Sequence, residues 1–349
     1  LTDGGKSQNG GITWRKDGKG FYYASTKRNG GDRDIYYMDP NNPKSEKLIL
    51  QVKGGGWGIQ DISPDNKKLV LGEYISINES YIWLLDIETG KLTEVTDRNS
   101  KGISQSEATF SNLSNEIWLV TDKDNEFQRL AAMNLNTKKT TYYTSDIPWN
   151  VESFNLSEDK KSIVFITNEG GLNKMYLMNT GTKAYKEIKN LPIGLISGAR
   201  FTKDNQTIFF NQSTAQSASD VYQLNIKTAK IERWTESELG EMQPSDMSVP
   251  KFIEWKSFDD LKISGFYYPA SPKFKGKRPV IIMIHGGPEG QSMASFLDSN
   301  NFYTSEMGVS LVYPNVRGSS GFGKTYLEKD NGFLREDSVK DIGALLDWI

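Results

Sequence analysis

The sequence predicts a multidomain chain: a β-propeller of about five visible blades, an incomplete set, followed by the N-terminal part of an α/β domain. Three observations carry this. Two motifs recur in phase every 45 to 48 residues from Trp14 to Lys230. The rhythm stops in a polar stretch with two prolines, SELGEMQPSDMSVP at 237–250. Beyond it come short apolar runs separated by helical stretches, with glycine loops where the chain leaves each run. The expected division is blades over 1–240, a linker at 241–250 and the α/β domain over 251–349.

The first motif is an apolar residue, a polar turn and a β-rich run. Its copies start at Trp14, Ile62, Phe110, Leu156 and Phe201, as in Ile62-Ser-Pro-Asp-Asn-Lys-Lys-Leu-Val-Leu. The second is a strand ending in Asp or Asn at 39, 86, 134, 179 and 225, as in IWLLDIETGK. Asp and Asn suit this place because their side chains bond the nearby backbone. One more short strand follows each turn. Four strands per 45 to 48 residues is the period of a propeller blade. Five in-phase copies of two motifs argue against a β-sandwich; a solenoid of β-rich repeats fits the strand count as well. Leu1-Thr2-Asp3 matches Val95-Thr96-Asp97, so the chain is expected to begin at the end of an earlier blade. It stops inside an amphipathic segment, so it is read as an internal fragment.

Composition removes several function classes. Net charge is −2 and pI about 5.8, which gives no basic surface for nucleic acid. No apolar run approaches the roughly 18 residues that span a bilayer. The chain has no cysteine and one histidine, His285, so a zinc site of several histidines is excluded. No cofactor or metal is expected. The stretch Asp122-Lys-Asp124-Asn-Glu126 lacks the glycine of a calcium loop. Gly54-Gly-Gly-Trp-Gly58 precedes no helix and reads as an inter-strand loop. The strand aromatics Trp14, Tyr22, Tyr36, Trp83 and Trp118 read as core.

In the second domain, 251–257 and 262–268 read as a hairpin. Residues 280–284 (VIIMI) read as a strand covered on both faces, 293–306 as a helix, 310–313 as another buried strand and 334–349 as an amphipathic helix. The first apolar run ends in His285-Gly286-Gly287-Pro288. The second ends in Pro314-Asn315 and the loop Arg317 to Gly323. Open α/β sheets bind ligands at such strand ends.

Three readings are open at this corner. In the first it is an acyl-transfer site: a backbone N–H at Gly287 meets a developing oxyanion, and glycine lets the reacting carbonyl approach. In the second it binds phosphate: Gly318-Ser-Ser-Gly-Phe-Gly323-Lys324-Thr325 matches the P-loop pattern, though Pro314 to Arg317 separate it from the strand and Asp330-Asn331-Gly332 interrupts the segment after Thr325. In the third the glycines only make tight turns. His285 precedes any nucleophile and reads as a residue that shapes the loop. Neither Ser319 nor Ser320 stands in G-x-S-x-G, so no catalytic serine is visible.

The blades with their S-P-D-N-K-like turn, the hairpin, HGGP and N-V-R-G-S-S-G-F-G together resemble the prolyl oligopeptidase family of serine peptidases, and within it the acylaminoacyl-peptidase-like branch. The resemblance covers essentially the whole chain, with Asp259-Asp260 standing where Asp-Gly is usual. It implies an α/β-hydrolase domain, of which 251–349 is the N-terminal part, and peptide-bond hydrolysis by a Ser-Asp-His triad beyond Ile349. The propeller would restrict entry to short peptides. By the same resemblance the Gly287 N–H is an oxyanion donor and Gly286 shapes its loop. Arg317 lines the corner, either as a substrate contact or in a structural ion pair. The rival is a non-catalytic, propeller-based binding protein. A periplasmic or secreted protein is favoured and a cytoplasmic one left open; oligomeric state is unassigned.

Overall fold

The computed structural model describes residue 2, residues 5–287 and residues 289–349. Leu1 and Asp3 of the blade-end match, and Pro288 of the glycine corner, lie outside the described residues. The chain divides into two compact units, Leu1–Ile147 and Pro148–Ile349.

The first unit holds three antiparallel four-stranded sheets. In the first, β1 (Asn9–Trp14), β2 (Phe21–Ser25), β3 (Asp34–Asp39) and β4 (Asn42–Leu50) lie side by side in chain order. The second repeats this with β5 (Trp57–Ile62), β6 (Lys68–Ser76), β7 (Glu79–Asp86) and β8 (Leu92–Glu94). The third consists of β9 (Gln105–Phe110), β10 (Glu116–Thr121), β11 (Arg129–Asn134) and β12 (Thr140–Tyr142). Each start of the first motif is the last residue of a sheet's first strand, and each Asp or Asn of the second motif ends its third strand. The turns form for local reasons. Ser63 Oγ donates to Asp65 at 2.6 Å and accepts from the Lys68 N–H, while Asn66 takes the left-handed conformation. Asn134 Oδ1 accepts from the N–H groups of Asn136 and Thr137, as an Asx turn requires.

Apolar faces meet between successive sheets. Tyr22, Ile35, Ile62 and Leu69 form one buried layer, and Val70, Ile82, Phe110 and Ile117 the next. Tyr22, Tyr36 and Trp118 are buried, as expected. Trp14 departs from the expectation: it is half exposed at the end of β1, where it packs on Phe21.

The second unit opens with two further sheets of the same kind. One is β13 (Asn150–Leu156), β14 (Ser162–Asn168), β15 (Asn173–Asn179) and β16 (Tyr185–Glu187). The other is β17 (Leu195–Phe201), β18 (Thr207–Thr214), β19 (Ser217–Asn225) and β20 (Ile231–Arg233). Then the pattern changes. The hairpin β21 (Lys251–Lys256) and β22 (Lys262–Tyr268) joins β23 (Val280–Ile282) and β24 (Ser310–Asn315) in a mixed sheet of order β21-β22-β24-β23. β23 and β24 pair in parallel, with Ile281 beside Leu311, so the two apolar runs are neighbours. Between them lie a 3-10 turn and the short α1 (Asn301–Ser305), in place of the longer helix expected over 293–306. After β24 come α2 (Lys324–Leu327), two 3-10 turns and α3 (Arg335–Trp348).

Two expectations are corrected here. β23 is three residues long and half-buried throughout, because it is the edge of this sheet with β24 as its one neighbour. α3 has the expected helical period, yet its fully buried positions are Leu345 and a carboxylate, Asp341.

Candidate active site

Two loops leave the ends of β23 and β24 and are stitched together along their length. The Ser292 N–H donates to Asn315 Oδ1 at 2.7 Å, and Asn315 Nδ2 returns a bond to the Ser292 carbonyl at 2.9 Å. The Ser320 N–H donates to the Gly290 carbonyl at 3.2 Å. His285 Nε2 lies 2.9 Å from Ser319 Oγ. The Ser319 hydroxyl donates to the Val316 carbonyl at 2.7 Å, which directs its proton away from the imidazole. This is a serine beside a histidine, but it cannot act as a nucleophile pair. Ser319 is completely buried, and its hydroxyl proton is directed at a carbonyl. His285 fastens one loop to the other, consistent with a residue that shapes its loop.

Gly286 and Gly287 lie on the exposed part of the first loop. Gly287 has φ +131°, a conformation that L side chains rarely adopt, and a Cβ there would sit 2.7 Å from the nitrogens of Glu289 and Gly290. Among the described residues, nothing accepts a hydrogen bond from its N–H. Among the described residues, the corner therefore presents a backbone N–H without an acceptor, on an exposed glycine of a loop held by its neighbours.

Arg317 answers the choice left open for it. Its side chain is buried and enclosed by acids. Nε and Nη2 donate to Asp341 at 2.8–3.1 Å, and Nη1 and Nη2 to Asp259 at 3.0 and 2.8 Å. Its own N–H reaches Asp341 Oδ2 at 2.9 Å, and its guanidinium lies over the Phe258 ring. Burial alone would lower its pKa; the bonds from Asp341 and Asp259 outweigh that and raise it. The Arg317 bonds in turn hold the Asp259 carboxyl below its ordinary range. Of the two roles left open for Arg317, the ion pair is present in the structure: Nε, Nη1 and Nη2 each donate to a carboxylate, and these bonds fix the start of its loop.

The phosphate-loop alternative is not supported by the local structure. A P-loop needs a long helix whose N-terminus holds phosphate, and α2 is four residues long. Among the described residues, no group of three or more acids or histidines is placed to hold a metal ion.

Several partners were not identified from the sequence. Asp341 has a weak signal, a carboxylate one turn before Leu345 on the apolar side of a helix. Asn168, at the end of β14, donates to Gln291 Oε1 at 2.6 Å and to Glu152 at 2.7 Å. Trp149 meets Phe322 edge-on at 6.3 Å. The fourth sheet thus touches both loops of the corner, through residues 123 and 173 positions apart in the chain, a separation that no local pattern announces.

The family described as "Prolyl oligopeptidase, N-terminal beta-propeller domain" matches residues 2–237. The chain belongs to the prolyl oligopeptidase family. Among curated proteins of this kind, dipeptidyl-peptidase 5 of Aspergillus fumigatus is 22% identical over 335 residues, covering 86% of this chain and 46% of that protein. Prolyl oligopeptidase A of Amanita bisporigera is 21% identical over 345 residues, covering 90% and 44%. The chain thus spans about half the length of the curated relatives it matches. Among solved structures, prolyl oligopeptidase B from Galerina marginata, bound to a 35mer hydrolysis and macrocyclization substrate, superposes with a TM-score of 0.84 at 16% identity, over 97% of this chain and 49% of that one. At that identity the likeness speaks for the fold. For a prolyl oligopeptidase family member, the five four-stranded sheets over 9–233 are the blades of the N-terminal propeller domain.

Proposed function

We propose that this chain supplies the propeller and the N-terminal part of the α/β-hydrolase domain of a serine peptidase that hydrolyses short peptides. On this reading, blades occupy 1–240, a linker 241–250 and the hydrolase part 251–349. The nucleophile, acid and base of a Ser-Asp-His triad lie C-terminal to Ile349, so the chain alone is inactive, and the propeller gates access. The Gly287 N–H donates to the oxyanion, with Gly286 shaping its loop. The observation that carries the reading is the N–H of the exposed residue Gly287, which has no acceptor among the described residues, on a loop fixed by the His285–Ser319 bond. A donor positioned before the charge develops needs no reorganisation during reaction, and one such donor is worth about 3–4 kcal/mol.

The test uses the complete protein. A fluorophosphonate probe should label one serine, and Gly287→Ala, which keeps the N–H but whose Cβ forces the loop to shift it, should lower kcat on a short peptide by up to about 10²–10³-fold, the loss expected when such a donor is taken out of place. A protein that takes no label and cleaves no peptide overturns the reading and leaves a non-catalytic propeller protein in its place.

A further inference from the structure

Asp330 ends a 3-10 turn after α2 and is fully buried. Both of its carboxyl oxygens are shut off from solvent, and among the described residues neither has a hydrogen-bond partner. The carboxyl is pressed against Gly318, which has φ +88°; a Cβ on that glycine would fall 2.1–2.4 Å from Cγ, Oδ1 and Oδ2. The Gly318 N–H cannot serve it, because it donates to the Tyr326 carbonyl at 3.1 Å.

The surrounding groups do not compensate. Burial is the largest influence and pushes the Asp330 pKa up. Arg335, at the start of α3, favours the anion, Glu289, on the loop after β23, opposes it, and the residue's own backbone N–H favours the anion more weakly. Across the turn, Arg317 is committed to Asp259 and Asp341, and the Tyr326 hydroxyl donates to the Asn315 carbonyl at 2.7 Å. An ionised carboxylate without a donor is among the costliest groups to bury, and such a group keeps its proton instead.

We propose that Asp330 is a proton-dependent latch beneath the Gly318 turn. As the neutral acid it stays buried against the turn. When it ionises it leaves its site and frees residues 317–321 and, through the Ser319–His285 bond, the loop that carries Gly287. Only the consequence for catalysis rests on the peptidase reading. The sign is fixed by the direction of the shift. The folded form holds the proton more tightly than the unfolded chain, so the latch is fully closed below the unfolded pKa and opens as pH rises through the folded one.

Hydrogen exchange of segments 283–292 and 314–323, compared at matched pH between wild type and Asp330→Asn, tests this. The wild type should lose protection relative to the variant as pH rises, up to about tenfold for each pH unit between the unfolded and the folded pKa, and level off above the folded one. Asp330→Leu, which leaves no polar atom unpaired, should behave as Asp330→Asn does. Equal protection in all three proteins at every pH overturns the proposal. So does a ¹³C carboxyl signal of Asp330 that titrates with the exposed aspartates, or loss of protection in both variants at acidic pH. None of these readouts requires turnover, so a failed latch and a failed peptidase assignment are distinguishable.

Discussion

The turn at 63–68 in the second blade and the turn at 316–321 beside the glycine corner both rest on a left-handed residue, Asn66 in one and Gly318 in the other. They are held in opposite ways. The blade turn is closed mainly from within, by Ser63 and Asp65 through bonds that span two to five residues, with a lighter long reach from the Lys16 N–H to Asn66 Oδ1 at 2.7 Å. The corner turn is closed by Arg317, which reaches 58 positions back to Asp259 and 24 forward to Asp341. A turn built from neighbours can be copied from blade to blade and survives the loss of one bond. A turn built from distant acids is made once, and everything attached to it depends on the anchor.

The sharpest way to break this contrast is to remove the anchor. Arg317→Met leaves Asp341 buried with, among the described residues, Ser257 Oγ and the N–H of residue 317 as donors, at 2.5 and 2.9 Å. Stranding one member of a buried pair costs about 3–5 kcal/mol. Urea unfolding should show a loss of that order. Asp65→Ala in the blade removes a local turn bond and should cost about 1 kcal/mol. Equal losses would remove the distinction.

A smaller effect separates the two kinds of glycine. Gly18 has φ +70° and open space where a methyl would stand, with no atom within 4 Å, whereas Gly318 has φ +88° with the Asp330 carboxyl at 2.1–2.4 Å. Gly18→Ala should cost only backbone strain, about 1 kcal/mol. Gly318→Ala adds overpacking against a buried side chain, for a total of about 2–4 kcal/mol. Thermal melting of the two variants side by side measures the gap, and a Gly318→Ala protein as stable as Gly18→Ala would show that the Asp330 site is roomy.

The same contrast explains what the sequence could announce. All five blades were legible because Trp14, Ile62, Phe110, Leu156 and Phe201 mark strand ends through local turn chemistry, and that chemistry repeats. The adjacency of β23 and β24 followed from two apolar runs joined by a short crossover. Gly286 and Gly287 could be singled out because a loop at a strand end advertises itself. The role of Arg317 could only be narrowed to two, since its partners are set by how α3 and the hairpin fold back on it. The length of α1 was misjudged: apolar and polar residues over 293–306 fit a helical period, but Ser292 and Ala294 are drawn into backbone bonds with Asn315 and Gly171 and the helix starts only at Asn301. Asp330 gave no signal, because a buried acid without a partner follows no pattern.

The finest test compares the corner's buried acid with one inside a blade. Asp220, on β19, is also fully buried, yet it is saturated: Arg233 donates at 2.6 Å, Thr235 Oγ1 at 3.0 Å, the Ser237 N–H at 2.7 Å, and Ser217 Oγ bonds it as well. Burial by itself would raise its pKa; these donors overcome that and hold it at about 2. Its folded value lies below the unfolded value near 4, so the stability it supplies is complete above that and is lost as pH falls toward about 2. Asp220→Asn should therefore cost about 1–2 kcal/mol at neutral pH, and the difference from wild type should shrink to nothing in acid. Asp330→Asn should give the opposite slope, with its advantage over wild type growing as pH rises. Two buried aspartates in one compact unit, one saturated with donors and one with none, would then be told apart by the direction in which pH moves their variants' melting temperatures.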